Sequence, residues 1–306
     1  MHTVFITVSC VLDILLLRGM YGIRLLWSNA VIASAAAGCV LRSWCMAHHA
    51  DSTAAVPLIF AAGIGAATWI AYTWQRHVKS TRPRGLRDDH RQWLSTHKRA
   101  VRWVAFFLAP LAMLPLAQTA AAATATWPTA LLLLAGLVVA GLLTLLYAGL
   151  PGVRGVQLAL RRLPRLKLLW IGLAWAIITA LWPILLDSKT NPLNQVNLLL
   201  MIGERALVIM ALTLPFDLRD RSWDPAFMKT WPQQWGTRGT RVAAVVMLLA
   251  AALASTIATE GNLAFGLGPL LMVPLVACAR EQRPPWYYLL SDAALIADGA
   301  WVVAFS

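Results

Sequence analysis

The sequence predicts an all-α protein that crosses a membrane many times, and three observations carry that prediction. Apolar residues make up 59% of the 306 residues and charged residues only 13%, with a mean hydropathy of +0.65. So little polar surface does not cover a soluble globule of this size. Apolar windows of the ~20 residues that a bilayer core demands recur along the whole chain. The cations are confined to short stretches between those windows, as membrane topology requires.

Taken in order, residues 1–21 hold an apolar stretch with no basic region before it, and an interfacial amino-terminal segment is expected there. Spans are expected near 22–41, 54–74, 101–118, 128–148, 167–186, 196–214, 241–259, 262–279 and 286–304, which makes nine. The windows near 101–118 and 262–279 are shorter and rich in Ala, Gly or Pro. No Gly/Ser-rich or low-complexity linker divides the chain, so residues 1–306 read as one helical membrane domain.

Of the 26 Lys and Arg, Arg42 and Lys189 fall on one side of this arrangement and Arg205 inside a span; all the others collect on the opposite side. Cytoplasmic loops hold such an excess, so the amino terminus and the loops after the second and sixth spans are expected in the cytoplasm, and the carboxyl terminus outside, in a cell inner membrane. The net charge of +13 does not indicate a nucleic-acid partner, because the basic residues lie in short loops rather than on one soluble face. Membrane lipids are the expected surroundings. Cys10, Cys39, Cys45 and Cys278 show no paired or metal-ligand spacing, and neither disulfides nor a zinc site is expected.

Only thirteen residues are acidic, and three of them crowd the end of the sixth expected span in Asp217-Leu218-Arg219-Asp220-Arg221-Ser222-Trp223-Asp224. If the helix continues past Pro215, the three carboxylates share one face and repel by a few tenths of a kcal/mol per pair. Arg221 is placed to relieve Asp217, whereas Asp220 and Asp224 have no obvious local partner. A hard divalent cation shared with phosphate oxygens would resolve the repulsion; a solvated helix end marking the membrane boundary is the plainer alternative.

This segment, with Lys229-Thr230-Trp231-Pro232 and Gly236 after it, resembles the second aspartate-rich motif of the UbiA superfamily of intramembrane prenyltransferases. The resemblance extends over the chain as topology and over about twenty residues as motif. It implies a nine-transmembrane-helix UbiA-like bundle, a magnesium site held by Asp220 and Asp224 with Asp217 beside them, and an isoprenyl diphosphate substrate. Magnesium and basic side chains would stabilise the charge that develops on the leaving diphosphate.

The family's first motif, Asn-Asp-x-x-Asp-x-x-x-Asp, should follow the second span. Ala71-Tyr72-Thr73-Trp74-Gln75-Arg76-His77-Val78-Lys79 stands in its place, so that Ala71, Tyr72, Gln75 and Lys79 occupy the Asn and Asp positions. No carboxylate remains, although Gln75 offers a neutral oxygen and Arg76, Lys79, Arg82 and Arg84 offer positive charge. Three explanations stay open: one metal with basic residues, substitution by Asp88 and Asp89 in the same loop, or binding without turnover. The basic loop from Arg76 to Arg102 also serves as a topology determinant and anionic-lipid contact.

Within the spans, Arg205 beside Glu204 and Asp298 lie near mid-helix, where an ionisable group needs a partner; an Arg205–Asp298 pair is expected, or a polar pocket that both line. Trp69 and Trp74 lead into the first-motif position and offer π faces to a carbocation. The resulting expectation is a magnesium-dependent transfer of an isoprenyl group to a lipophilic, aromatic acceptor. Asp217, Asp220 and Asp224 would be the catalytic, metal-holding carboxylates, and Gln75, Arg76, Lys79, Arg219 and Lys229 would bind diphosphate. The alternative is a non-catalytic polyprenyl-lipid-binding protein or subunit of the same fold.

Overall fold

The computed structural model describes residues 23–49, 57–80, 88–123, 127–148, 163, 165–186, 195–282 and 285–305. The interfacial segment expected over 1–21 lies outside them. Among the described residues there are helices and turns but no strand: α1 (Ile23–Ala47), α2 (Leu58–Ser80), α3 (Asp88–Thr96), α4 (Lys98–Ala123), α5 (Trp127–Ala148), α6 (Lys167–Leu186), α7 (Gln195–Arg219), α8 (Trp231–Ala258), α9 (Leu263–Ala277) and α10 (Pro285–Phe305). Six of them, α1, α4, α6, α7, α8 and α10, are long and apolar enough to cross a membrane; α5 and α9 carry shorter apolar runs.

Neighbours in the chain pack on one another from α1 to α2, α2 to α4, and onward to α10, and α10 returns to α1. The series thus closes into a ring, with α1 leaning inward on α6 and α7. Small residues permit the closing contact. A Cβ on Gly299 would meet the Gly38 backbone at 2.4–2.7 Å, so α1 and α10 approach backbone to backbone, as membrane helices do where both carry glycine. The main apolar core joins Cys39 of α1, Val208 and Leu212 of α7, Leu248 of α8, Met272 of α9 and Leu295 of α10.

The outer surface is inverted relative to a soluble protein. Phe106 and Phe107 of α4, Val138 of α5 and Leu253 of α8 are exposed, a pattern that hydrocarbon chains cover and water does not. Within α6, residues Ile177–Leu181 form one π turn just before Pro183, whose ring and missing N–H interrupt the regular ladder.

One buried cation ties the ring together. Helix α1, expected to end near 41, runs on to Ala47, and Arg42 is therefore interior rather than on the outer side. Its guanidinium donates to Glu204 Oε1 of α7 (3.1 Å), Asp298 Oδ1 of α10 (2.7 Å), Ser255 Oγ of α8 (3.0 Å) and the Phe265 carbonyl of α9 (2.6 Å). Five helices meet on one side chain. The expected Arg205–Asp298 pair is thereby corrected: Arg42 takes Asp298, and Arg205 lies 3.7 Å from Glu204 and donates to Cys39 Sγ at 3.1 Å. The reason is reach, because Asp298 enters over Gly268, where any Cβ would stand 1.8 Å from its Oδ1, and this brings it to the Arg42 side.

Truncating one member of a buried pair strands the other charge. Asp298→Ala is expected to lower stability by about 3–5 kcal/mol, read as loss of the thermal transition in detergent, while Gly268→Ala, which blocks the approach, lowers it in the same direction. A wild-type transition in both variants would remove Arg42 from its central position.

Candidate functional site

The acidic motif lies where α7 ends. Pro215 sits inside the last turns without stopping the helix, which continues to Arg219, and the chain then turns through hydrogen bonds from the Asp220 N–H to the Phe216 carbonyl and from the Asp224 N–H to the Asp220 carbonyl. Lys229 adopts a left-handed conformation and Thr230 begins α8 as its cap, with the Thr230 N–H on Gln233 Oε1 at 3.0 Å. The same Gln233 amide donates to the Asp224 carbonyl at 2.9 Å, so the cap of α8 holds the backbone of the motif. Gly236, at φ +64°, kinks α8 immediately beyond, a conformation that favours glycine. Thr230 and Gly236 of the Lys-Thr-x-Pro…Gly stretch thus have backbone reasons to be there.

The three aspartates do not form one cluster. Lys167 Nζ, in the first turn of α6, stands 2.8 Å from Asp217 Oδ1 and 2.8 Å from Asp224 Oδ2, and all three side chains are buried. Asp220 turns aside to Arg219, whose Nε and NH2 reach its two oxygens at 2.7 and 3.0 Å at the surface. The Asp220 carboxyl is raised by burial but lowered more by the Arg219 hydrogen bonds and charge, and its pKa falls below the usual range. Arg219 itself lies over the Tyr288 and Phe216 rings, 4.8 and 5.4 Å from their centres.

Two sequence expectations change here. Arg221 does not relieve Asp217; it pairs with Glu281 at 2.6 Å, because the helix ends at Arg219 and the turn carries Arg221 away from the face that bears Asp217. Asp220 and Asp224, which lack partners by local spacing, both have them in the fold. Lys167, counted among the topology-setting cations, is the residue that sequence reasoning missed. A faint signal existed: it opens a helix with no acid in its first turn, and the positive end of a helix dipole disfavours a cation there unless something else holds it.

The first-motif segment closes the end of α2. Lys79 lies 5.5 Å from the centre of the Tyr147 ring of α5 and within electrostatic reach of Asp220, while Tyr147 is also a neighbour of Lys167. Arg76 lies within electrostatic reach of Asp292 of α10 and of Tyr72 on its own helix. Gln75 is buried and donates to the Thr144 carbonyl of α5 at 3.4 Å. Lys229 is exposed. Trp69 packs in a core with Trp93, Leu94 and Val101, and Trp74 is partly exposed beside His77. Asp88 and Asp89 open α3, but their side chains are outside the described residues.

For a divalent cation the donor set fits in one place. Asp217 and Asp224 direct one carboxylate oxygen each to a common point, where the Lys167 ammonium is already a cation of the protein's own. Carboxylate oxygens are the ligands that Mg2+ takes. Among the described residues no three His, Cys, Asp or Glu side chains stand in metal-holding geometry, so the remaining ligands would have to come from a bound anion or water.

No family model and no curated protein matches the chain. Its fold matches a UbiA homologue from Archaeoglobus fulgidus at 14% identity and a TM-score of 0.50, covering 90% of this chain and 98% of that one. That homologue bound to GPP and Mg2+ gives 13% and 0.48, and bound to DMAPP and Mg2+ 13% and 0.46, each covering 93% of this chain and 99% of the other. The chain has the helical UbiA-type fold of an integral membrane protein.

The burial contrast orders the ion pairs by stability. Lys167→Met strands two buried carboxylates and is expected to cost about 3–5 kcal/mol, whereas Asp220→Asn, at the surface, costs less than about 1 kcal/mol. Chemical unfolding in mild detergent ranks the two; equal losses would contradict the clamp.

Proposed function

We propose that this chain binds an isoprenyl diphosphate at the motif end of its UbiA-type ring and, with Mg2+, transfers the isoprenyl group to a lipophilic, aromatic acceptor. The observation that carries the reading is the convergence of opposite charges at one end of the bundle. Asp217 at the end of α7 and Asp224 in the turn beyond it pair with Lys167 of α6, and Asp220 between them is within electrostatic reach of Lys167 and of Lys79 of α2. Arg76 of α2 and Asp292 of α10 lie within electrostatic reach of each other.

The chemistry asks for this distribution. Breaking an allylic carbon–oxygen bond leaves a carbocation and a diphosphate of higher charge, and donors preorganised for that charge lower the barrier. Arg76, Lys79, Arg219 and Lys229 are the basic groups offered to the diphosphate. Asp217 and Asp224 would hold Mg2+, with Asp220 turned aside to Arg219, and the ion would neutralise the charge developing on the leaving group. Asp217 and Asp224 are themselves buried, and a diphosphate held against them would be shielded from bulk water.

A specific observation favours a second reading, a protein that holds a polyprenyl diphosphate without ionising it. The stretch Ala71–Lys79 contains no carboxylate, and every aspartate of the acidic motif is ion-paired within the protein.

The two readings separate on purified protein supplied with an isoprenyl diphosphate and candidate aromatic acceptors. Under the transferase reading, diphosphate is released only with Mg2+, and Asp224→Asn lowers the rate by about 100-fold, the loss typical of one electrostatic group. Unchanged turnover in that variant rejects the site. A co-purifying prenyl diphosphate that persists intact when Mg2+ is added, seen by mass spectrometry of extracted lipid, selects the binder.

A further inference from the structure

A buried ammonium between two carboxylates does the electrostatic work of a metal ion, and Lys167 is held in that role from two directions. Its side chain bridges Asp217 and Asp224 at 2.8 Å each. Its backbone approach is pinned to the same loop, because the N–H of Arg165, a non-glycine residue at φ +65°, donates to the Met228 carbonyl at 3.0 Å. The start of α6 and the motif loop therefore form one unit. The backbone that carries Lys167 stays beside the motif loop, while its side chain is free to turn between partners.

This arrangement sets a condition on cation binding. Any divalent ion that uses Asp217 and Asp224 together meets the oxygens already turned to the ammonium. If the metal arrives alone, Lys167 loses both partners and is left buried beside a dication, an unpaired charge in a poorly screened place. A diphosphate removes the conflict, since its oxygens can receive the ammonium and complete the ligand shell of the metal. Tyr147 of α5 lies 5.5 Å from Lys79 and within electrostatic reach of Lys167, so the ammonium and the basic end of α2 share a neighbour.

We propose that Lys167 is a resident counter-ion that closes the Asp217–Asp224 pair to free divalent metal and yields it only when a diphosphate binds, so that metal and diphosphate enter together. The inference rests on the reading of this end of the bundle as a metal–diphosphate site. By linkage, each ligand then raises the affinity for the other by the same factor, of the order of 100-fold, near the upper end of ordinary coupling.

The test uses the full chain in detergent or nanodiscs, with Mn2+ as a paramagnetic probe and an isoprenyl thiolodiphosphate, whose carbon–sulfur bond resists ionisation, as the anion. Wild-type protein is expected to bind Mn2+ alone at least about 100-fold more weakly than Lys167→Gln does, with Lys167→Arg remaining as weak as wild type. Thiolodiphosphate is expected to bind wild type about 100-fold more tightly with Mg2+ than with a chelator, and this difference shrinks in Lys167→Gln. Should Lys167→Gln not fold, the wild-type arms decide: tight Mn2+ binding without any diphosphate, or thiolodiphosphate affinity indifferent to Mg2+, overturns the counter-ion. Thiolodiphosphate that fails to bind under every condition removes the diphosphate reading itself, whereas thiolodiphosphate binding together with tight metal-only binding removes Lys167's part alone.

Discussion

A charge placed inside an apolar helical bundle must find its partner within the bundle, and that constraint organises both halves of this molecule. Arg42 is the clearest case. It is fully buried, and its donors are received by groups from α7, α8, α9 and α10, so that a side chain of α1 fixes the relative positions of five helices. The pairing is reciprocal. Glu204 and Asp298 are affordable at that depth only because Arg42 and Arg205 stand there, and glycine at 268 leaves the room that Asp298 needs. Apolar contacts alone discriminate weakly among helix arrangements in lipid, where both alternatives are equally greasy; directional bonds to a buried guanidinium discriminate strongly.

The same rule acts at the other end, about 20 Å further along α7, with a different consequence. Lys167 and its two aspartates form a buried unit in which one ammonium bridges two carboxylates. The Arg42 centre sets two cations, Arg42 and Arg205, against Glu204 and Asp298. The Arg219–Asp220 pair belongs to neither, since it lies at the surface, where solvent screens it.

Much of the local structure is legible in the residues themselves. The hydrocarbon-length apolar windows announce the helices, whereas the cap formed by Thr230 and Gln233 and the kink at Gly236 emerge in the structure. The acidic motif is legible too, since it is contiguous. Arg42 and Lys167 depart from expectation for one physical reason: a cation near the edge of an apolar window looks like a loop residue, but the helix extends past it in α1 and turns it inward in α6. Depth alone pairs Asp298 with Arg205, but depth does not specify which face of a helix looks at which neighbour, and Asp298 meets Arg42.

The amino-acid sequence by itself determined that this chain is helical and membrane-embedded, and that an acidic motif ends α7 while the segment ending α2 lacks acids. Those properties depend on composition, hydropathy over twenty residues, and contiguous spacing. Only the tertiary structure decided which cation meets which carboxylate. Lys167 stands 57 positions from Asp224 and Arg42 stands 256 from Asp298, and partners so far apart are chosen by how the helices rotate and cross. That choice emerges from packing around the whole ring, and no local stretch of the chain contains it.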